Sequence, residues 1–535
     1  MLRKLVALLV SFLMLFSAGL QKVVLQELDY DLAIMNARIV DGTGNPWFRG
    51  SIGIKNGRIV KIGKIDPAKA KQIIDAKDQI VAPGFIDVHT HIEDIFNHPE
   101  AENFVRMGVT SLITGNCGSS ATNIGKFLSR YEKTPLTVNV GTLIGHGSVR
   151  AEVMGLEDRD PTAEEQAKME ALVDRAMKDG AFGLSTGLIY VPGTYAKTEE
   201  VVALAKIAAR YGGIYASHIR DEGTKVVESI NEAIDIGDKA KIPVEISHFK
   251  ISSKRLWGKS DLTLGLVNAA RERGLQVSVD QYVYPASSTS LDARMPNWVI
   301  AGGREAAIKR LKDPQVRERV IKEMKDDLKK KGFKDYSFAF VANYSPNTSY
   351  NGKNIVEITK LARGKNDLRS QIEQILEMYE KGGASMVYRV MSEEDVQRIV
   401  KAPFTMFASD SGVRTFGRGV PHPRGYGNNA RVLGEYVRNL KLISLEDAIR
   451  KMTSLPAKVF QIRDRGLLLE GFFADIVIFD EKKIIDKATF ENPHQYPEGI
   501  SYVIVNGQIV LDEKGLTGNK PGMPLFGPGY IKEKE

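Results

Sequence analysis

The 535-residue chain predicts an α/β protein: a TIM-type (β/α)8 barrel plus a small β-sandwich built from both chain ends. Three observations predict it. Short runs that alternate apolar and polar residues, broken by Gly and Asn turns, occupy residues 31–82 and return after residue 461. Between them, apolar strands alternate with amphipathic helical segments, the pattern of βα units and a parallel sheet. Eight such strands can be counted between residues 85 and 412, the number that closes a barrel of this type.

Composition narrows the class. At 43% hydrophobic and 26% charged residues, this is a globular chain, long enough for more than one core. The net charge of +8 is spread along it, and basic runs such as 329–334 (KKKGFK) stay short with no interleaved aromatics. That excludes a nucleic-acid stripe and fits the collection of small anions.

Residues 1–20 have a basic start (Arg3, Lys4), an apolar run from Leu5 to Phe16, and the small residues Ser17, Ala18 and Gly19. This is the pattern of a secretory signal peptide. The run is shorter than the ~20 apolar residues of a membrane span. The expectation is an exported chain, periplasmic or extracellular, with no stable membrane span after cleavage; an uncleaved N-terminal anchor is the alternative. Cys117 is the single cysteine, so no internal disulfide can form. It is either a buried, inert thiol or one held by metal.

In chain order, residues 28–82 form the first part of the sandwich, with a hairpin at Asn56-Gly57. The barrel spans 83–460. Its strands are read at 85–91 (FIDVHTH), 110–117, 136–147, 181–188, 212–220, 243–250, 276–284 and 404–412. Helices fit between them, the clearest at 162–180, where Thr162 and Glu165 make a capping box. The interval before the last strand is too long for one βα connection and holds an inserted segment at about 291–384, read as a cover over or beside the barrel mouth. Residues 461–535 return to short strands and complete the sandwich.

The polar outliers fall at the carboxyl ends of the strands, where such barrels place their chemistry. His89 and His91 end strand one, Cys117 strand two, His218 strand five, His248 strand six and Asp410 strand eight. Four of the eight histidines are in this set. Residues two apart share a face of a strand, so His89 and His91 point the same way if the strand runs through both. Zinc takes imidazole, thiolate and carboxylate donors, four as a rule, with one place open in a catalytic site. Two sites sharing a ligand would use all six residues. Taken singly, His218 and His248 are equally readable as hydrogen-bonded core histidines, and Asp410 as the cap of the next helix. In a metal barrel, Asp410 is suited instead to take a proton from a metal-activated water and pass it to a leaving amine.

These segments resemble the N-acyl-D-amino-acid deacylase (D-aminoacylase) family of the amidohydrolase superfamily. The resemblance is carried by PGFIDVHTH at 83–91, GVTSLITGNCG at 108–118, GAFGLSTGLIYVPG at 180–193, YASHIRDEG at 215–223, SHFK at 247–250, SDSG at 409–412, HPRGYG at 422–427 and GFFADIVIFD at 471–480. It implies a metal-dependent hydrolase barrel that cleaves N-acyl-D-amino acids to a carboxylate and a D-amino acid. It implies a tight Zn2+ on Cys117, His218 and His248, with Cys117 in the place of the carboxylated lysine of other relatives. It implies His89 and His91 as ligands of a second, weaker site, and Asp410 as general base and acid. Lys250, Tyr190, Tyr282, Ser288 and Arg424 match positions that hold substrate, and Arg424 suits a bidentate grip on the α-carboxylate. Three stretches depart from the family pattern: IED follows His91 where the family places an Asp sooner, the loop from Asp410 to Arg424 is longer, and 291–384 matches poorly, which leaves the side-chain preference open.

Other functions compete with this one. A cyclic amidase of the dihydropyrimidinase or dihydroorotase kind is disfavoured by Cys117 and by the HPR at 422–424. A dipeptidase releasing D-amino acids would use the same machinery. A non-catalytic binding protein on the same barrel would have no need of Asp410 beside a complete donor set.

Overall fold

The computed structural model describes residues 28–531. Residues 1–20, read above as a signal peptide, lie outside them. The alternating N-terminal runs form β1 (Tyr30–Ile39), β2 (Phe48–Lys55), β3 (Arg58–Gly63), β4 (Ala70–Asp75) and β5 (Ile80–Pro83). Barrel strands follow as β6 (Phe85–Asp87), β7 (Val109–Thr114), β8 (Asn139–Thr142) with its continuation β9 (Ile144–Gly145), β10 (Gly183–Gly187), β11 (Ile214–His218), β12 (Val244–Ile246) and β13 (Val277–Gln281). The inserted region contributes β14 (Ser287–Ser290), β15 (Ala339–Asn343) and β16 (Ser385–Tyr388). Then come the last barrel strand β17 (Thr405–Phe407) and four more: β18 (Ile476–Phe479), β19 (Ile500–Val505), β20 (Gln508–Asp512) and β21 (Gly515–Leu516).

All barrel pairings are parallel, in the orders β6-β7-β8 and β9-β10-β11-β12-β13-β17. The circle closes where residues 89–91 meet 410–411: Asp410 donates its N–H to His89 O at 3.0 Å, and His91 donates to Ser411 O at 3.0 Å. Alternate strand residues pack into different apolar clusters, with Tyr215 in the one that includes the helices and Ile214 and Ala216 in another. Helix Ala163–Lys178 begins with the capping box of Thr162 and Glu165, and helix Thr198–Arg210 buries the stripe Val201, Leu204, Ala205 and Ala208.

The sandwich is one continuous nine-stranded sheet, in the order β21-β20-β19-β18-β5-β1-β2-β3 with β4 also on β1. β1 forks, pairing β4 along its first half and β5 at its end, around a bulge between Ile34 and Ala37. Asn56 and Gly57 both take positive φ, 50° and 76°, as a type I′ hairpin between β2 and β3 requires. Ile34, Ile52, Ile59, Ile476 and Ile504 fill the enclosed core. In the inserted region β14, β16 and β15 make a separate antiparallel sheet, with helices Pro314–Lys331 and Leu368–Glu380 in the chain between β14 and β16. From Gly522 to Ile531 the chain leaves the sandwich and bonds to the barrel, with Gly522 N–H on Leu136 O and Leu525 N–H on Val140 O, both at 2.8 Å.

A buried polar network joins sandwich to barrel. The Asp475 carboxylate pairs with Arg465 and accepts from Asn139 Nδ2 at 3.1 Å and from the Asn506 N–H at 2.8 Å. Asn139 begins β8, so sheet and barrel share this one carboxylate. Removing one member of a buried pair strands its partner's charge. Asp475→Ala is therefore expected to cost about 3–5 kcal/mol, read as a lower urea midpoint in circular dichroism; an unchanged midpoint would count against the network.

Candidate metal centre

Backbone turns at the strand ends place the donors. β6 stops at Asp87, sooner than the alternation of 85–91 predicts, because the Asp87 carboxylate accepts the N–H groups of His89 (3.1 Å) and Ser409 (3.0 Å). The two imidazoles still converge, their ring centroids 5.5 Å apart. β7 stops at Thr114, and Gly115 and Cys117 take φ of 77° and 52°. A Cβ at Gly115 would lie 2.3 Å from Leu143 O, so no other residue fits this turn. Glu93 holds the same turn by accepting from Thr114 Oγ1 (2.7 Å) and Gly115 N–H (3.1 Å). His248 (φ 38°) and Asp410 (φ 49°) are also left-handed. Each such non-glycine residue costs of order 1–3 kcal/mol and persists only where its surroundings hold it.

Cys117 Sγ is the hub. It lies 3.4 Å from His89 Nε2, 3.5 Å from His218 Nδ1 and 3.6 Å from His248 Nε2. A zinc ion bound tetrahedrally through sulfur at ~2.3 Å and nitrogen at ~2.0–2.1 Å separates the two donors by about 3.5–3.6 Å, so the spacing fits such an ion. Asp410 Oδ1 lies 3.3 Å from His91 Nε2 and 3.7 Å from His89 Nε2, a second group of donors beside the first. Burial by itself raises the Cys117 thiol, but the charge on His89 and hydrogen bonds from His218, His248 and His89 outweigh it and hold it well below the usual thiol range. The thiolate form is the one that ligates metal.

Three carboxylates that sequence reasoning missed orient these donors. Asp280 accepts from His89 Nδ1–H at 2.9 Å, which leaves His89 Nε2 free as a donor, and from His248 N–H at 3.0 Å. Glu222 Oε1 lies 3.0 Å from His248 Nδ1 and pairs with Lys250, whose Nζ is 2.8 Å from the same nitrogen. Asp87, described above, is the third. The signals were available. Asp280 is the charged residue inside the apolar run 276–284, and Glu222 stands in the YASHIRDEG stretch.

The other sequence candidates line the same cavity, of about 710 Å³: Tyr190, Lys250, Tyr282, Ser288 and Arg424 all face it with Asp410. His89 is wholly buried, under the cavity floor. Lys250 Nζ is 2.5 Å from Glu222 and 2.8 Å from His248 O. Tyr190 bonds Thr289, and Ser288 donates to Met386 O, both on or beside the inserted sheet. Arg424 is buried, stands over the Tyr282 ring at 4.4 Å, and pairs with Asp410 Oδ2 at 2.8 Å. That contact is an ion pair without hydrogen-bond alignment, and Arg424 Nε has no partner either. Burial opposes the charge on Asp410, but Arg424 and a hydrogen bond from His91 keep its carboxyl well below the usual carboxylate range. His422, also missed, accepts the Arg424 N–H on Nδ1 (3.0 Å) and donates from Nε2 to Ala286 O (2.9 Å), tying the arginine to the strand that carries Ser288.

An eight-stranded α/β barrel with imidazole, thiolate and carboxylate donors gathered at the carboxyl ends of its strands is the architecture of a metal-dependent hydrolase. Comparison narrows the class. The Amidohydrolase family model matches residues 72–511. D-aminoacylase of Alcaligenes xylosoxydans xylosoxydans is 34% identical over 520 residues, 93% of this chain and 97% of the relative. N-acyl-D-glutamate deacylase of the same organism is 34% identical over 518 residues, 92% and 96% of the two chains. The crystal structure of N-acyl-D-glutamate deacylase from Bordetella bronchiseptica, complexed with zinc and a phosphonate mimic of the tetrahedral intermediate, superposes with a TM-score of 0.80 at 31% identity, covering 93% of this chain and 99% of that one. The chain belongs to the D-aminoacylase family of amidohydrolases.

Cys117→Ala removes the donor common to three imidazoles. Metal content by mass spectrometry is expected to fall from stoichiometric to a small fraction, and full retention would refute the hub role.

Proposed function

We infer that the protein hydrolyses the amide bond of N-acyl-D-amino acids, giving a carboxylate and a D-amino acid, with Zn2+ held by Cys117, His218 and His248 and a second metal position at His89, His91 and Asp410. The single observation that carries this reading is Arg424: a buried guanidinium with unaligned and unpartnered N–H groups, facing the donor cluster across Asp410. A small anion that completes the arginine fork would present its neighbouring amide to the donors. The named activities of the relatives, at 34% identity, agree with it.

Zinc at these donors supplies Lewis acidity toward a carbonyl oxygen and an activated water. The chain's own residues do the rest. Arg424, with Tyr282 and Ser288 beside it, grips the α-carboxylate and fixes the amino-acid half. Asp410 takes the proton of the attacking water and returns it to the leaving nitrogen. When Arg424 turns part of its charge to the substrate, its hold on Asp410 weakens, and the carboxylate becomes a better base in the complex than in the free protein. Lys250 stays tied to Glu222 and keeps the His248 ring in place. Tyr190 closes the cavity wall against the inserted sheet. The preference for the D series rests on the named activities of the relatives.

We place the reaction outside the cytoplasm. The support is the basic start, apolar core and small residues of 1–20. Among the described residues no helix is long and apolar enough to cross a membrane. Mass spectrometry of the protein purified from its native host is expected to find an N-terminus beyond residue 16.

The deciding assay is hydrolysis of N-acetyl-D-methionine and N-acetyl-D-glutamate beside their L-enantiomers. D-substrates should turn over, chelator should abolish the activity, and added zinc should restore it. A zinc-loaded sample that cleaves neither D-substrate would sink the reading. Asp410→Asn is expected to lower kcat by about 10²–10⁴ while Cys117-held zinc is retained.

A further inference from the structure

We infer that Glu245 is a positioning residue for the metal donors: a neutral carboxylic acid inside the barrel that donates its proton to Asp280 and so fixes the carboxylate that holds the His89 ring. This rests on the reading of His89 as a metal donor and goes beyond the ligands and substrate contacts assigned above.

Glu245 interrupts an apolar run. β12 sets Val244 and Ile246 in the cluster that includes the helices, and Glu245 between them faces the other way, beside Ala216 of β11 and Ser278 of β13. It is buried, at 1% exposure. Its Oε2 accepts from Ser247 Oγ at 2.9 Å, whereas no N–H or hydroxyl reaches its buried Oε1. Asp280 stands two residues past Ser278, on the same face of β13, and the two carboxyl groups meet in a hydrogen bond.

Two carboxyl groups in contact away from water cannot both ionise, so the pair carries one negative charge. The surrounding donors decide where it sits. Asp280 accepts from His89 Nδ1–H at 2.9 Å and from the His248 N–H at 3.0 Å, which makes it the anion. Glu245 receives a single hydroxyl, and burial together with the charge on Asp280 raises its carboxyl well above the usual carboxylate range. A proton on Oε1 turns the one unpartnered oxygen into a donor toward Asp280. That bond stabilises the anion and lowers its basicity. The proton between Asp280 and His89 therefore stays on His89 Nδ1, and Nε2 keeps its lone pair for metal.

Two measurements test this. The first is the infrared spectrum of the full chain at neutral pH, taken on the wild type and on Glu245→Gln. The difference between them is expected to contain the C=O stretch of a protonated carboxyl group, shifted in heavy water; a difference that shows only carboxylate bands overturns the inference. The second is zinc affinity, titrated into the metal-free protein against a chelator. Glu245→Met keeps the length of the side chain and removes the donor, and it is expected to weaken zinc binding by about tenfold to a hundredfold. Glu245→Gln donates an amide N–H in place of the acid proton and is expected to leave the affinity unchanged. That rescue separates a donor to Asp280 from a mere filler of space. Glu245→Ala replaces the Met variant if that one does not fold. Wild-type affinity in the variant without a donor, or equal losses in Gln and Met, overturn the inference. A wild-type protein that binds no zinc would fault the metal reading alone, because the infrared band still decides where the proton sits.

Discussion

One sulfur atom sets the terms for the site. Cys117 Sγ sits within 3.6 Å of three imidazole nitrogens, half-buried at the floor of the cavity. Burial opposes the thiolate, and positive charge at this spot, from a protonated imidazole or a bound metal ion, offsets that cost. The backbone is bent to reach this arrangement. Cys117, His248 and Asp410 all adopt left-handed conformations that the rest of the barrel must hold in place.

That holding is done by buried carboxylates. Asp87 ends the first strand and receives the N–H of Ser409, which closes the barrel next to the metal donors. Asp280 supports His89 through the ring and His248 through the backbone. Glu222 pairs with Lys250 and lies 3.0 Å from the ring of His248. His89 thus has a second partner that fixes which of its nitrogens is free, and such partners matter to metal affinity nearly as much as the ligands do. On the opposite side, Asp475 binds the sandwich to the start of β8, so the platform under the site is anchored by the same device of a shared buried carboxylate.

The inserted region supplies what the barrel lacks. Its sheet carries Ser288 and Thr289, the latter bonded to Tyr190, while His422 ties Arg424 back to Ala286. Substrate groups from opposite sides of the mouth are therefore coupled through hydrogen bonds.

The sequence by itself determined the fold class. Period-two runs marked the sandwich strands, apolar strands alternating with amphipathic helices marked the barrel, and the excess of histidine at strand ends pointed to the donors. Those signals are local, because side-chain alternation and residue type can be read within a few positions. Only the tertiary structure decided the rest. Asp87, Asp280 and Glu222 act on residues distant in sequence, and nothing in a lone acidic residue says which ring it will orient. The early ends of β6 and β7 come from a carboxylate replacing a backbone partner and from a reversal of φ, neither of which alters the hydrophobic pattern. Residue type made a metal site expected; the contacts that close the barrel determine which atoms face one another.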